Sequence, residues 1–254
     1  MFCVAVCCFM CYLCMMSKDS RLLFLFLALT VSFLSCASQI NGRLGADSAG
    51  DFTVSASLQP RISAIIRSFQ TLAGNPKPDG LIIDGGAIAQ SMSSAPGIAS
   101  VSFRNTSPGA IEGPVKISKI GDFLAISGRS GFISFEQRNG AGRCSVNISL
   151  GDGPRLLSLI SAEITDYLYA LMAPLATGEV LTKDEYLVLV GSVYGRGIAD
   201  EISGSFIRAA VEFPGLVQSA QGGTFSGKRA EFDIPLLDLL VLETPLHYEV
   251  EWKF

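Results

Sequence analysis

Arg143-Cys-Ser-Val-Asn-Ile-Ser-Leu150 runs through Gly151-Asp-Gly153 into Pro154-Arg-Leu-Leu-Ser-Leu-Ile-Ser-Ala-Glu-Ile-Thr-Asp-Tyr-Leu-Tyr-Ala-Leu-Met172, and the hydrophobic period changes across that join. Before it, Cys144, Val146, Ile148 and Leu150 alternate with Ser145, Asn147 and Ser149, the spacing of a half-buried strand. After it, Leu156, Leu157, Ile160, Ile164, Leu168 and Leu171 recur at helical spacing as one apolar stripe. Pro154 suits a first helical turn, and Pro174 with Gly178 ends the segment. A strand region therefore gives way to a helical region in mid-chain.

Upstream of the join the pattern is short alternating stretches separated by turns. Phe52-Thr-Val-Ser-Ala-Ser-Leu58 reads as a strand, and Pro60 opens a helix with Ile62, Ile65, Ile66, Phe69 and Leu72 on one face. Gly74 and Pro76 end that helix, and Ile82 to Ser93 reads as a turn with a short helix. Strands are predicted at 98–104, 111–120, 123–127, 132–137 and 144–150. Arg138-Asn-Gly-Ala-Gly142 forms a hairpin, because Asn-Gly accepts positive φ at little cost. These strands read together as an antiparallel meander.

Downstream, Thr182-Lys-Asp-Glu185 is a capping box, in which hydroxyl and carboxylate satisfy the free N–H groups of a helix running towards Ile202. Gly191, Gly195 and Gly197 weaken this helix by about 1 kcal/mol each relative to Ala, or provide close packing or a bend. Strands return at 205–213, 228–234 and 246–254. In the last of these Leu246, Tyr248, Val250, Trp252 and Phe254 share a face. The expected fold class is α+β: an antiparallel sheet with a pair of long helices packed on one face.

The N-terminus has a different character. Lys18 and Arg21 precede Leu22-Leu-Phe-Leu-Phe-Leu-Ala-Leu-Thr-Val-Ser-Phe-Leu-Ser35, an apolar run too short to span a bilayer comfortably and of signal-peptide length. Phe33-Leu-Ser-Cys36 closes it and resembles the lipobox of bacterial lipoproteins in the looser form of spirochaetal ones. The resemblance implies an acylated Cys36, a membrane anchor, and a domain in the periplasm or at the surface of a bacterial cell envelope. Ser35-Cys-Ala37 also offers an ordinary signal-peptidase site, and an uncleaved anchor is the third reading. The uncharged, cysteine-rich residues 1–14 read as a mis-called extension, with translation starting at Met15 or Met16 and the signal peptide over 15–35. Residues 36–50, small and polar after Cys36, read as a flexible tether, and 51–254 as a single domain.

Little in the chain points to chemistry. The formal net charge is −4 without a block of like charge, which argues against nucleic-acid binding. After Cys36 the remaining cysteine is Cys144, so no disulfide framework forms within the exported part, and a small buried hydrophobe on a strand describes it best. The single histidine, His247, lies on the Glu249 and Glu251 face of the last strand, too few ligands for a metal site. The glycines at 191–197 lack the Lys-Ser/Thr of a phosphate loop. Glu163 and Asp166 share a helix face suited to solvent. The reading is a non-catalytic binding module with no metal and no cofactor; the alternatives are a structural or assembly lipoprotein of the envelope without a small ligand and, third, a hydrolase using carboxylates. The partners of the module are the membrane, through the N-terminal lipid, and a hydrophobic ligand or an envelope protein.

The stripe Leu156, Leu157, Ile160, Ile164, Leu168 and Leu171 is first a core face. A helix pair over a sheet can also enclose a ligand pocket of ~300–1,000 Å³, which makes these residues the pocket candidates. Within about the last fifty residues, Val211-Glu-Phe-Pro-Gly-Leu-Val217, Gly222-Gly223, Gly227 and Arg229-Ala-Glu-Phe-Asp-Ile234 resemble the LppM-type domain of bacterial surface lipoproteins. That resemblance implies a sheet-plus-helix envelope module associated with lipids or other apolar molecules. It carries over no site residue.

Overall fold

A computed structural model describes residues 36–72, 80–124, 131–138, 140–158 and 162–254. The chain divides into two units, Met1–Cys36 and Ala37–Phe254. The extension and signal read over 1–35 lie outside the described residues. The fold class is α+β, as expected, with a mixed eight-stranded sheet and a four-stranded antiparallel one.

The second unit opens with strand β1 (Cys36–Leu44), paired antiparallel with β2 (Gly50–Ser57) from Ser38↔Ala56 to Leu44↔Gly50. This corrects the tether expected over 36–50. The segment is anchored because Leu44 is buried among residues of both sheets. Its glycines provide clearance: a Cβ on Gly42 or Gly50 would come within 2.2 or 2.4 Å of the Phe52 ring. The turn between the strands closes through Gly45 N–H to Ala49 O at 2.7 Å, and the Asp47 carboxylate accepts from Ala49 N–H at 3.1 Å.

Helix α1 (Pro60–Leu72) and α2 (Gly85–Ser93) follow, as expected, and then β3 (Ile98–Val101), β4 (Arg104–Ser107) and β5 (Ala110–Ile117). The strand expected from Phe123 is corrected: Ile120–Leu124 is a helical turn, α3, and 125–130 lie outside the described residues. The hairpin β6 (Ile133–Arg138) and β7 (Ala141–Ile148) forms as read. The single meander does not form. Strands β3 to β5 extend the large sheet beside β2, whereas β6 and β7 join the small one.

The pair of long helices is also corrected. The described residues of the first give two segments, α4 (Gly153–Leu157) and α5 (Ala162–Ala170), then a turn, α6 (Pro174–Thr177). The second starts at the Thr182–Glu185 capping box as α7 (Lys183–Tyr194) and breaks at Gly195 before α8 (Arg196–Ser203). Gly195 sits at φ 90°, ψ 150°, a conformation open in practice to glycine alone, so the chain turns sharply there.

The C-terminal part supplies β8 (Phe206–Glu212), β9 (Leu216–Gln221), β10 (Thr224–Ser226), β11 (Arg229–Pro235), α9 (Leu236–Val241) and β12 (Leu246–Lys253). The large sheet runs β10-β11-β8-β1-β2-β5-β3, with β4 also on β5, and the small one β6-β7-β12-β9. One core of Leu44, Phe213, Val217, Ala230, Val250 and Trp252 draws on both sheets. A second is helical and includes Ile62, Ile66, Tyr186, Val190 and Ile202.

Cys144 packs against the inter-sheet core, and burial pushes its thiol up from 9.0 to about 11. Burial raises the Tyr186, Tyr194 and Tyr248 phenols as well. As pH rises past about 9 the unfolded chain loses the Cys144 proton while the folded chain keeps it, so the unfolded state binds fewer protons and stability falls with pH up to about 11. The urea midpoint is therefore expected to be lower at pH 10 than at pH 8, with a smaller drop in Cys144→Ala. Peptide mapping after iodoacetamide at pH 8 should find Cys144 alkylated in urea and spared in the native protein. Rapid native labelling would contradict its burial.

Candidate functional site

At the end of the large sheet where β2 runs into α1 and β11 into α9, the apolar faces of several helices do not close completely. They leave a cavity of about 500 Å³.

The α1 wall carries Ile62 and Ile66, with Leu58 just before it. Glu201, on α8, sets this wall by accepting from the Arg61 and Ile62 N–H groups at 3.1 and 3.2 Å. Those donors have no partner within α1, so the helix N-terminus is tied to α8 by a carboxylate from outside. Ile202, the residue after Glu201, also lines the cavity.

The α2 wall carries Ala87, Ile88, Ser91 and Met92, preceded by Ile82, Ile83 and Asp84. Asp84 is the N-cap, its carboxylate accepting from Ala87 N–H at 3.0 Å. Asn105 on β4 pins the same turn, accepting from Gly85 N–H at 3.1 Å and donating to Ile83 O at 2.6 Å. Ile83 and Ile88 stand at the two positions of a hydrophobic staple around that cap.

The third wall is α5 with the turn after it: Ile164, Tyr167, Leu168 and Leu171. Gln70 on α1 donates to the Tyr167 hydroxyl at 2.8 Å. The Tyr186 hydroxyl donates to Leu171 O at 3.2 Å, the Tyr194 hydroxyl to Ala170 O, and Phe69 meets Tyr194 edge-on at 6.1 Å. Leu236 and Leu240 of α9 complete the lining. Asp238, on the same helix, pairs with Lys183 Nζ at 3.0 Å and holds that ammonium above its ordinary range by hydrogen bond and charge.

Of the pocket candidates read from the sequence, Ile164, Leu168 and Leu171 line the cavity. Leu156 does not; it packs against Leu175, Leu242 and Leu246. Leu157 is half-buried away from the cavity, and Ile160 lies outside the described residues. The Ile82–Met92 wall was not among the candidates. Its signal was Ile83-Asp-Gly-Gly-Ala-Ile88, an N-cap with apolar residues at the staple positions.

Among the described residues the chemistry-bearing side chains do not converge, and the Glu163 side chain lies outside them. His247 is exposed, its ring nitrogens against Asn147 and Gln221. No group of three potential metal ligands occurs among the described residues. Asp166 is exposed. A shallow groove of about 370 Å³ on the small sheet collects Glu136, Arg138, Arg143, Glu251 and Lys253. Arg143 there is bound to Glu249 at 2.5 Å and lies 3.8 Å from Glu251, which makes a solvated, mutually paired face. Among the described residues no helix is long and apolar enough to cross a membrane.

No protein-family model matches the sequence, and no curated protein matches it significantly. Among solved structures, the NMR structure of the LppM folded domain from Mycobacterium tuberculosis is similar in chain path. The TM-score is 0.40 at 10% sequence identity, over 86% of this chain and 90% of that one.

Proposed function

We propose that this protein is an envelope lipoprotein, anchored through Cys36, whose domain holds one apolar chain in the cavity between α1, α2, α5 and α9. The observation that carries the reading is the cavity itself: about 500 Å³, walled mainly by Ile and Leu side chains. Ligand pockets typically have volumes of ~300–1,000 Å³ and mostly apolar walls, and this partly open cavity has both. If a methylene takes roughly the volume of a water, ~30 Å³, the cavity accommodates on the order of fifteen of them. The apolar segment before Cys36 supports the membrane location. The role is binding rather than catalysis.

The test is mass spectrometry of the full-chain protein extracted from membranes, beside Cys36→Ala and Leu168→Trp. A covalent acyl group absent from Cys36→Ala is expected. So is a non-covalent chain lipid near one equivalent, reduced by more than about tenfold in Leu168→Trp because the indole fills the space it occupied. Circular dichroism identifies a folded variant, and Ile88→Trp serves if Leu168→Trp misfolds. Equal lipid content in the wild type and a folded, blocked variant would refute the cavity reading. A soluble protein beginning after Ala37 would refute the anchor.

A further inference from the structure

The cavity is apolar but not electrically neutral. Its one ionisable carboxylate is Asp84, and no Lys, Arg or His stands among its described lining residues. An anionic lipid end is normally met by a cation or by the free N–H groups of a helix N-terminus. Helix α2 begins at the cavity, but two of its first N–H donors are already taken. Ala87 N–H donates to Asp84 and Gly85 N–H to the Asn105 side chain. A carboxylate or phosphate entering here finds a like charge, no counter-charge among the described lining residues, and two donors already taken.

From this geometry we infer that the site selects by charge: Asp84 makes it a receptor for chain lipids with an uncharged end, such as alcohols, esters and monoacylglycerols, and discriminates against fatty acids. The inference rests on the cavity being a chain-binding site. Asp84 is a specificity residue, because the apolar walls bind the chain in either case.

A matched pair of probes isolates the charge: cis-parinaric acid and its methyl ester, which share the fluorescent chain. Both are titrated at neutral pH into the full-chain protein in nonionic detergent. Leu168→Trp provides the background from sites outside the cavity. The ester is expected to bind about fivefold tighter than the acid in the wild type, a ratio set by like charges approaching beside the half-buried Asp84. In Asp84→Asn the ratio should fall to about two, since Asn still caps the helix but carries no charge. Asp84→Ser, another good cap, serves if the Asn variant misfolds. Equal affinities in the wild type, or a ratio unchanged in both variants, overturns the charge selection and leaves the cavity reading in place. Binding of both probes that is unaffected by Leu168→Trp overturns both.

Discussion

Trp252→Ala should be the most damaging single substitution in the inter-sheet core, lowering stability by about 3–5 kcal/mol. Against the usual total of ~5–15 kcal/mol, that leaves a large fraction of the protein unfolded or close to it. The indole is 1% exposed, with the Phe213 ring 4.7 Å and the Phe135 ring 6.0 Å from it. It covers Gly142 across the β7–β12 ladder, where a Cβ would come within 2.1 Å of the ring. The small sheet is thus built to receive this one side chain, and rigid strands on both sides cannot collapse into the hole. Trp252→Phe should cost far less. The indole N–H has no hydrogen-bond partner among the described residues, so the smaller ring gives up packing volume without orphaning a partner. Urea unfolding followed by circular dichroism checks both variants, since the sole tryptophan is removed in each. A midpoint in Trp252→Ala equal to the wild type would show that the sheets are not held together through this contact.

Tyr186→Ala is expected to approach the same magnitude, about 3–5 kcal/mol, in the helical core. Its ring is fully buried and its hydroxyl donates to Leu171 O. Tyr186→Phe should cost about 1–2 kcal/mol, because it leaves that carbonyl without its donor. The two variants separate packing from hydrogen bonding. They also bear on the cavity, because Leu171 is part of its wall. Hydrogen exchange should show the α5 to α6 turn losing protection in Tyr186→Phe while the small sheet keeps its own. Uniform loss across the protein would mean that the tyrosine holds the fold and not that wall.

Local periodicity was a good guide to individual elements and a poor one to their assembly. The stripe Ile62, Ile65, Ile66 and Phe69 identified α1, and Thr182 with Glu185 located the start of α7, because these patterns depend on neighbours three or four residues away. Leu72 fell on the same stripe yet is 84% exposed, since periodicity does not say where the opposing surface ends. Allocation of strands between two sheets was not legible. Residues such as Ile111 and Phe135 alternate alike, and only long-range pairing assigns one to β5 and the other to β6. The cavity was legible by halves. Its α5 wall showed as a stripe, but the Ile82–Met92 wall is recruited through Asn105, a contact across twenty residues that no local pattern records.

Strand β1 starts at Cys36 itself. A lipoprotein with a long leash lets its domain wander over a wide volume. Here Ser38 is already in register with Ala56, and Leu58, two residues beyond Ala56, is in the cavity wall. Two extended residues span at most about 7 Å, so an acyl group on Cys36 keeps this end of the sheet within that distance of its attachment point. On the proposed reading the supply of ligand would be set by local concentration: the bilayer that holds the anchor would also be the nearest reservoir of chains, and loading would become nearly an intramolecular event.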